Sequence, residues 1–329
     1  MDSGLNDLPM LPPHVGECVA TVGTFDGVHL GHIDVLVRLA HRARETNRAS
    51  LLVTFASHPL ELLRPESAPL VLTSRDEKLV AIASTGIDYV AMLPFTRALA
   101  NYSAEQFVEL LLRQRFHMAE LLIGHDHGFG RGRQGDVDTL LTLGAARGFG
   151  VEVVDPIRTP DGQPVSSTAI RAALTAGDLP AVEQALGRRY SVCGTVVAGE
   201  ARGRLLGFPT LNIEPQHARK LLPPDGVYAV VVDSSRGRFG GMMNLGGKPT
   251  FGDDRRTIEA HLFDASGDFY GTVVEVGFVA RLRDTMRFDG PEALRAQLGQ
   301  DERQARAALT DLAEEPKLKG SMHFPPSTP

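Results

Sequence analysis

The feature that most constrains the fold is a regular alternation, in the first half of the sequence, between short apolar runs and amphipathic stretches. The run Leu-Leu-Val-Thr-Phe at 51–55 contains no charged residue and no glycine, which is typical of a parallel strand covered on both faces. Strands are likewise predicted at 19–22, 89–93, 120–123 and 150–154, and helices at 33–44, 75–85, 104–115 and 137–147. The alternation predicts an α/β domain with a doubly wound parallel sheet, whose ligands bind at the carboxyl ends of the strands.

The second half of the sequence has a different pattern. Ser167 and Thr168 are predicted to cap a helix at 169–176, and Asp178 is predicted to cap another at 180–186. From there on, short β runs separated by glycine and proline occur at 192–197, 226–232, 238–245, 257–263 and 269–279. This spacing predicts a small antiparallel barrel or sandwich, closed by one amphipathic helix at 291–312. We expect a boundary near Gly187, with domains at 1–187 and 188–313 and a disordered tail at 314–329.

Composition narrows the class of protein. The 329 residues include 34 basic and 40 acidic side chains, and the formal net charge of −6 argues against a protein that coats nucleic acid or an anionic membrane. No apolar run reaches the ~20 residues of a membrane span, and the N-terminus lacks the pattern of a secretory signal. Cys18 and Cys193 provide neither a disulfide framework nor metal-ligand spacing. We expect a cytoplasmic protein whose cysteines are reduced.

The strongest local signal is the segment Gly-Thr-Phe-Asp-Gly-Val-His-Leu-Gly-His at 23–32, between a predicted strand and a predicted helix. Gly27 and Gly31 allow the backbone to approach a bulky anion, and the N–H groups at the start of the helix favour phosphate. His29 and His32 share one face of a helical turn, where imidazoles would stabilise charge that develops during nucleotidyl transfer. A glycine-rich turn with two surface histidines is the alternative interpretation.

This segment resembles the HxGH signature of the nucleotidylyltransferase superfamily, and in particular the N-terminal module of prokaryotic bifunctional riboflavin kinase/FAD synthetases. The segment at 54–59 resembles the family's TFxPHP element, with Ser57 in place of a proline. The segment at 124–136 resembles its GxDFxFG…GD element, with His127 in place of an aromatic residue, and 165–171 resembles its (I/V)SST-x-IR element. The resemblance implies a Rossmann-like FMN adenylyltransferase domain.

The same resemblance implies roles for individual residues of this domain. His29 and His32 would be catalytic, and Arg171 would offer a bidentate fork to phosphate. The residues that bind ATP would be Gly23, Phe25, Asp26, Gly31, Ser166, Ser167, Thr168 and Arg171. The flavin side would include His58, Asp126 and Phe129, and it is the side where the sequence departs from the family. Taken alone, the Ser-Ser-Thr run is more typical of a plain helix cap than of a phosphate site.

A second constellation lies at 194–212, where four glycines and two arginines suit a loop wrapped around phosphates. A Walker site is excluded, because Lys248 is followed by Pro249. The segment resembles instead the riboflavin kinase signature GxVxxGxxRGRxLGFPTxN. Further along, 244–251 and 258–262 resemble that family's NxGxxPTF and (V/I)EAH elements. The resemblance implies a riboflavin kinase domain.

In this domain the resemblance implies that Thr210 and Asn212 hold Mg²⁺ and the nucleotide phosphates. Glu259 would be the general base that accepts the proton of the ribityl 5′-hydroxyl during phosphoryl transfer. The residues that bind ATP would be Gly194, Gly199, Arg202, Gly203, Arg204, Gly207, Phe208, Pro209 and Asn244. Taken alone, Glu259 in an alternating strand is typical of a solvated surface residue.

Together the two resemblances imply a bifunctional enzyme of flavin biosynthesis, which converts riboflavin to FMN with ATP and Mg²⁺, and then FMN to FAD with a second ATP. One alternative is a riboflavin kinase with a weak or lost adenylyltransferase domain, as the departures at Ser57 and His127 suggest. Another is a flavin-binding regulatory or RNA-binding protein without turnover. The acidic net charge weighs against RNA, and retention of His29, His32 and Glu259 weighs against a loss of catalysis. No nucleic acid or membrane partner is expected.

Overall fold

The structure is a computed structural model that describes residues 8–125, 128–199, 203, 206–247 and 256–310, without the side chain of Arg133. These residues divide into two compact units, and each is described by itself below. The first unit contains the residues up to Val71 together with Ala81–Ser166, and the second contains Leu72–Val80 and the residues from Ser167 on. The predicted tail at 314–329 lies outside the described residues.

The first unit is built on a five-stranded parallel sheet. Its strands are β1 (Cys18–Val22), β2 (Ala49–Phe55), β3 (Tyr89–Leu93), β4 (Met118–Gly124) and β5 (Gly150–Val154). They lie in the order β3-β2-β1-β4-β5, and every neighbouring pair is parallel. The prediction of a doubly wound parallel sheet is confirmed. The strand order reverses between β1 and β4, which is where ligands bind in sheets of this kind.

Helices connect the strands of this sheet. They are α1 (Leu30–Glu45), α2 (Pro59–Leu63), α3 (Arg75–Ala83), α4 (Arg97–Ala100), α5 (Ala104–Gln106) and α6 (Val137–Arg147). Most of α3, up to Val80, is counted with the second unit. Helix α5 continues as a π-helix over Phe107–Arg113, where the Gln114 N–H donates to the Glu109 carbonyl five residues earlier. The helix predicted at 104–115 is therefore present, but the wider π form replaces most of the α form.

The core of the first unit consists of two apolar layers, one on each face of the sheet. Consecutive strand residues point to opposite faces, so Ala20 and Leu51 enter the layer that contains the π-helix, and Val19 and Leu52 enter the layer that contains α1. None of these four side chains has any exposed surface. The central strands are thus covered on both sides, which leaves the ends of these strands for a binding site.

The second unit contains a closed antiparallel barrel. It begins with α7 (Ser167–Ala176) and α8 (Leu179–Leu186), continues with β6 (Ser191–Val197), β7 (Leu211–Pro215), β8 (Gly226–Ser234), β9 (Gly237–Gly247), β10 (Arg256–Leu262) and β11 (Val273–Arg283), and ends with α9 (Pro291–Leu309). The strands close in the order β10-β7-β6-β11-β8-β9. Helix α9 packs on the barrel, with Ala305 beside Met242 and Phe263. The prediction of an antiparallel β domain with a C-terminal helix is confirmed, as a barrel.

Two strand predictions in the barrel are corrected by the structure. The strand predicted at 269–279 begins later, at the start of β11, because the preceding residues form a turn. In that turn the Thr272 N–H donates to the Phe269 carbonyl at 3.1 Å, and Gly271 has a φ of +72°. Strand β7 was not predicted, because only two of its five residues, Leu and Ile, are strongly apolar.

The predicted cap of α7 is also corrected. The helix begins at Ser167 itself, so Ser167 and Thr168 lie inside its first turn rather than in front of it. Just before the helix, the Val165 N–H donates to the Ile157 carbonyl at 2.9 Å. This bond keeps the chain non-helical up to that point, and the helix starts two residues earlier than the sequence pattern indicates.

A buried ion pair lies in the second unit. The Lys220 Nζ donates to Glu77 Oε2 at 2.6 Å and to the Leu72 carbonyl at 2.7 Å, and the other Glu77 oxygen accepts the Cys193 N–H at 2.8 Å. Burial alone would lower the pKa of Lys220, but the adjacent Glu77 carboxylate raises that pKa above its ordinary value. These bonds explain why Leu72–Val80, far from the barrel in sequence, belongs to the same compact unit.

Both cysteines are free and buried. The Cys18 Sγ donates to the Phe116 carbonyl at 3.1 Å, and burial raises the pKa of Cys18 to about 12. Burial likewise raises the pKa of Cys193 far above its ordinary value. Because the thiolate is the reactive form, neither cysteine is a nucleophile in the folded chain.

The carboxylate of Asp301 provides a test of how α9 is held on the barrel. Asp301 has no exposed surface, and it accepts two hydrogen bonds from Arg283, at 2.9 and 2.7 Å, and one from Gln297. Asp301→Ala leaves Arg283 without its buried partner, so we expect it to lower the free energy of unfolding by about 3–5 kcal/mol, measured by urea denaturation. Asp264→Ala, which removes an exposed ion pair with Arg306, should change it little. Equal effects would contradict this interpretation.

Candidate active sites

The loop between β1 and α1 begins at the switch point of the parallel sheet. Its backbone is unusual, because Phe25 and Val28 have φ angles of +48° and +40°, alongside +84° at Gly27. The left-handed region is unfavourable for a β-branched residue such as valine. Val28 is nevertheless completely buried. Packing of the loop against the core therefore holds a strained backbone, as is common where a chain must place specific groups.

Two stacked imidazoles lie at the N-terminus of α1. His29 is the N-cap residue, and its Nδ1 accepts the backbone N–H of His32 at 3.3 Å. The two rings stack with their centroids 3.6 Å apart and an interplanar angle of 18°. A Cβ added at Gly31 would lie 3.2 Å from the His29 ring, so glycine leaves the room that this stack requires. The sequence prediction that both histidines share one face is confirmed.

The Phe25 ring extends this stack. It lies 4.6 Å from the His32 ring, centroid to centroid, and a Cβ added at Gly23 would come within 2.9 Å of it. Phe25 and Asp26 are both buried. The loop thus presents imidazoles at a helix N-terminus, whose N–H groups and dipole favour an anion. This arrangement suits the binding of a phosphate chain.

The Ser-Ser-Thr element is divided between the two units. In the first unit, the Val165 carbonyl lies 3.8 Å from a Cβ added at Gly31, which places Ser166 close to the histidine loop. Ser167, Thr168 and Arg171 lie on α7 in the second unit; Thr168 is exposed, and Ser167 and Arg171 are half-buried. Of the residues predicted in this element, Ser166 alone therefore belongs to the same unit as His29 and His32.

The residues predicted for the flavin side have structural partners of their own. His58 follows β2 and caps α2: its Nδ1 accepts the Leu60 N–H at 3.2 Å, and its own N–H donates to Glu61. Phe129 is buried, with its ring 4.8 Å from that of Phe107. Asp126 and His127 lie outside the described residues. His58 and Phe129 thus help to build the unit, and their contact with a ligand stays a prediction.

In the barrel, three predicted residues from separate segments lie side by side. Glu259 on β10 is the register partner of Asn212 on β7 and of Asn244 on β9. Directly opposed residues project from the same face of a sheet, so these three side chains form one row across three strands. The flanking residues Ile258 and Ala260 are buried, whereas Glu259 is half-buried and Asn244 is exposed. The row therefore lies on an accessible face.

The Asn212 side chain fills the space in front of a glycine. A Cβ added at Gly199 would overlap the Asn212 amide, with Oδ1 only 2.7 Å away. Gly194 is similarly enclosed, since an added Cβ would lie 2.5 Å from the Ile213 side chain. The two glycines let the chain before and after the β6–β7 loop pass close together, and this contact fixes the side chain of Asn212.

The described part of the β6–β7 loop is a compact turn that ends at Thr210. The Gly203 carbonyl accepts the N–H groups of Leu206, at 3.1 Å, and Phe208, at 2.9 Å. Gly207 has a φ of +88°, which suits glycine. A Cβ added at Gly203 would also lie 3.5 Å from Thr210. Arg202 and Arg204, predicted to bind ATP, lie outside the described residues.

Two residues with a place in these sites had no predicted role. The Thr54 hydroxyl, fully buried, donates to the Thr24 carbonyl at 3.2 Å and so ties β2 to the histidine loop. His261 lies 2.7 Å, through Nδ1, from the Pro209 carbonyl. Both belong to quoted motifs, at 54–59 and 258–262, and membership in a motif was the only signal in the sequence.

Among the described residues, no cluster of three or more His, Cys, Asp or Glu side chains is suited to hold a metal ion.

The contact between Gly199 and Asn212 leads to a direct prediction. Gly199→Ala forces the Asn212 amide to move, so we expect the side-chain amide NMR signal of Asn212 to shift. Gly247→Ala is a matched control, because no atom lies within 4 Å of a Cβ added there. An unchanged Asn212 signal in the folded Gly199→Ala protein would contradict the described packing.

Two family models match the chain, one over the region of the parallel sheet and one over the region of the barrel. A family model described as FAD synthetase matches residues 11–169, and one described as riboflavin kinase matches residues 186–309. Among the described residues, no helix is both long and apolar enough to cross a membrane.

Curated relatives match nearly the whole chain under one description, bifunctional riboflavin kinase/FMN adenylyltransferase. The protein of Pseudomonas fluorescens is 40% identical over 305 residues, and that of Escherichia coli (strain K12) is 36% identical over 304; each match covers 92% of this chain and 96% of the relative. A crystal structure described as a macrolide-efflux protein from Streptococcus pneumoniae has a TM-score of 0.81 at 29% identity, covering 92% of this chain and 96% of its own. Its description differs from the names of the relatives, and we compare only its fold.

Proposed function

The chain belongs to the family of bifunctional riboflavin kinase/FMN adenylyltransferases, and from this premise we propose how its residues divide two reactions between two sites. The enzyme transfers the γ-phosphoryl group of ATP to riboflavin, giving FMN and ADP. It also joins FMN to the AMP part of a second ATP, giving FAD and pyrophosphate. The observation that carries the division of labour is that the stacked rings of His29 and His32 lie in the first unit, whereas Glu259, with Asn212 and Asn244 beside it, lies in the second.

Adenylyl transfer is assigned to the histidine loop of the first unit. The FMN phosphate is already an anionic nucleophile, so the reaction requires alignment with the α-phosphate of ATP rather than a strong base. His29 and His32, stacked at the N-terminus of α1, are positioned to hydrogen-bond phosphate oxygens and stabilise the pyrophosphate as it leaves. Ser166 beside Gly31 supports this site, and Ser167, Thr168 and Arg171 are assigned to phosphate binding by their motif.

Phosphoryl transfer to riboflavin is assigned to the barrel. Among the described residues, no side chain or backbone group donates a hydrogen bond to the Glu259 carboxylate, which is half-buried on its strand. It is therefore available to accept the proton of the ribityl 5′-hydroxyl as that oxygen attacks the γ-phosphorus. Asn212 and Asn244, its neighbours in the row, are assigned to the nucleotide, together with the glycines of the β6–β7 loop.

The residues assigned to Mg²⁺ fit that ion. The Thr210 hydroxyl and the Asn212 amide carbonyl are oxygen donors, as Mg²⁺ prefers, and Mg²⁺ usually takes few ligands from protein and the rest from phosphates and water. The packing of Asn212 against Gly199 holds one donor in place before any ion binds. When bound, Mg²⁺ neutralises part of the phosphate charge that develops in the transfer. We also propose that the enzyme acts in the cytoplasm, with the adenylyltransferase domain at 1–187 and the riboflavin kinase domain at 188–313.

Replacement of a loop histidine should separate the two activities. His29→Ala removes an imidazole from the adenylyl-transfer site, so we expect FAD formation from FMN and ATP to fall about a hundredfold or more, with FMN formation from riboflavin nearly unchanged. Both products are measured by chromatography over time. His41→Ala, which alters an exposed histidine on the same helix, is the control. Loss of both activities in a folded variant would contradict the two-site proposal.

Glu259→Gln should give the opposite result. The amide is a poor proton acceptor, so we expect FMN formation to fall about 10²–10⁴-fold, while FAD formation from supplied FMN persists. The control is Glu214→Gln, on the neighbouring strand β7 and exposed. If Glu259→Gln left the kinase rate within about twofold of the unaltered chain, another group would have to be the base.

A further inference from the structure

His261 makes a specific contact with the phosphate loop of the barrel. It lies on β10 two residues after Glu259, and therefore on the same face of the strand. Its Nδ1 is 2.7 Å from the Pro209 carbonyl, and its ring packs edge-on against Phe208, with centroids 5.4 Å apart. Because a carbonyl oxygen only accepts hydrogen bonds, Nδ1 must carry a proton and donate it. One side chain thus binds both the backbone and a ring of the loop.

The contact between His261 and Pro209 lies just before the β6–β7 loop joins the paired strand β7. Asn212 is held opposite Glu259 by strand pairing, whereas β7 begins only at Leu211. Thr210 precedes that strand, so the ladder does not set its distance from Glu259. The bond from His261 to Pro209, the residue before Thr210, supplies this missing attachment. The turn closed at Gly203 fixes the other end of the same segment.

We infer that His261 is a positioning residue for riboflavin phosphorylation, which holds Thr210 at the place where it binds Mg²⁺ and the phosphates of ATP. The inference rests on the proposed role of Thr210. It assigns to His261 no contact with riboflavin or with the transferred phosphoryl group. His261 instead sets the distance between the general base on β10 and the metal ligand at the end of the loop.

The inference leads to a set of four variants of the full chain. Asparagine places an amide N–H near the position of Nδ1, whereas glutamine places it farther out, and leucine fills the space without a donor. We expect His261→Leu and His261→Gln to raise the kinase KM for MgATP about tenfold, with the KM for riboflavin within about twofold. His261→Asn should restore most of the affinity for MgATP. His217→Leu, at a histidine whose Nδ1 accepts the Arg219 N–H in the same unit, is the control.

Thermal unfolding of each variant, followed by circular dichroism, shows whether its barrel is folded. If His261→Leu does not fold, the difference in KM for MgATP between His261→Asn and His261→Gln tests the inference by itself. An unchanged KM for MgATP in the leucine or glutamine variant overturns the inference, as does a failure of asparagine to restore it. A change confined to the KM for riboflavin also overturns it, because His261 would then contact that substrate. If the unaltered chain forms no FMN from riboflavin, the proposed function fails instead.

Discussion

The pairing register of β10 is the constraint on which the barrel site depends. Side chains alternate between the two faces of a strand, so a slip of one residue would exchange every inward and outward position. Ile258 and Ala260 are buried in the barrel, and the free energy of that burial opposes any slip. Glu259, between them, must then face outward, opposite Asn212 and Asn244. An apolar core therefore sets the position of three polar groups that contribute nothing to it.

The parallel-sheet unit places its polar groups by a different means. There the loop begins at the end of strand β1. The strained backbone of this loop and the first turn of α1 then position the histidine side chains. Backbone in the left-handed region at Phe25 and Val28 is held by burial, and the glycines at 23 and 31 leave room for the rings of Phe25 and His29. Polar side chains are thus positioned by strand pairing in the barrel and by the packing of a loop in the parallel-sheet unit.

Much of this organisation follows from local pattern. Strand β2 and a helix that follows the histidine loop were predicted from adjacent residues alone, and the structure contains both, although α1 begins at Leu30, three residues earlier than predicted. What could not be predicted depends on partners distant in sequence. Nothing near Glu77 indicates that its carboxylate binds Lys220, 143 positions away, or that Leu72–Val80 belongs with the barrel. Likewise, His261 was visible as part of a motif, but its bond to Pro209 exists only once β10 and the loop are folded together.

The buried pair of Glu77 and Lys220 has a consequence for the order of events during synthesis. A ribosome releases the chain from its N-terminus, at a pace that lets early segments fold before later ones exist. Glu77 emerges long before Lys220, and a carboxylate buried without its cation is strongly unfavourable. We therefore expect the segment Leu72–Val80 to reach its final burial only after Lys220 has been synthesised. The barrel unit thus includes a segment that is synthesised well before the rest of it.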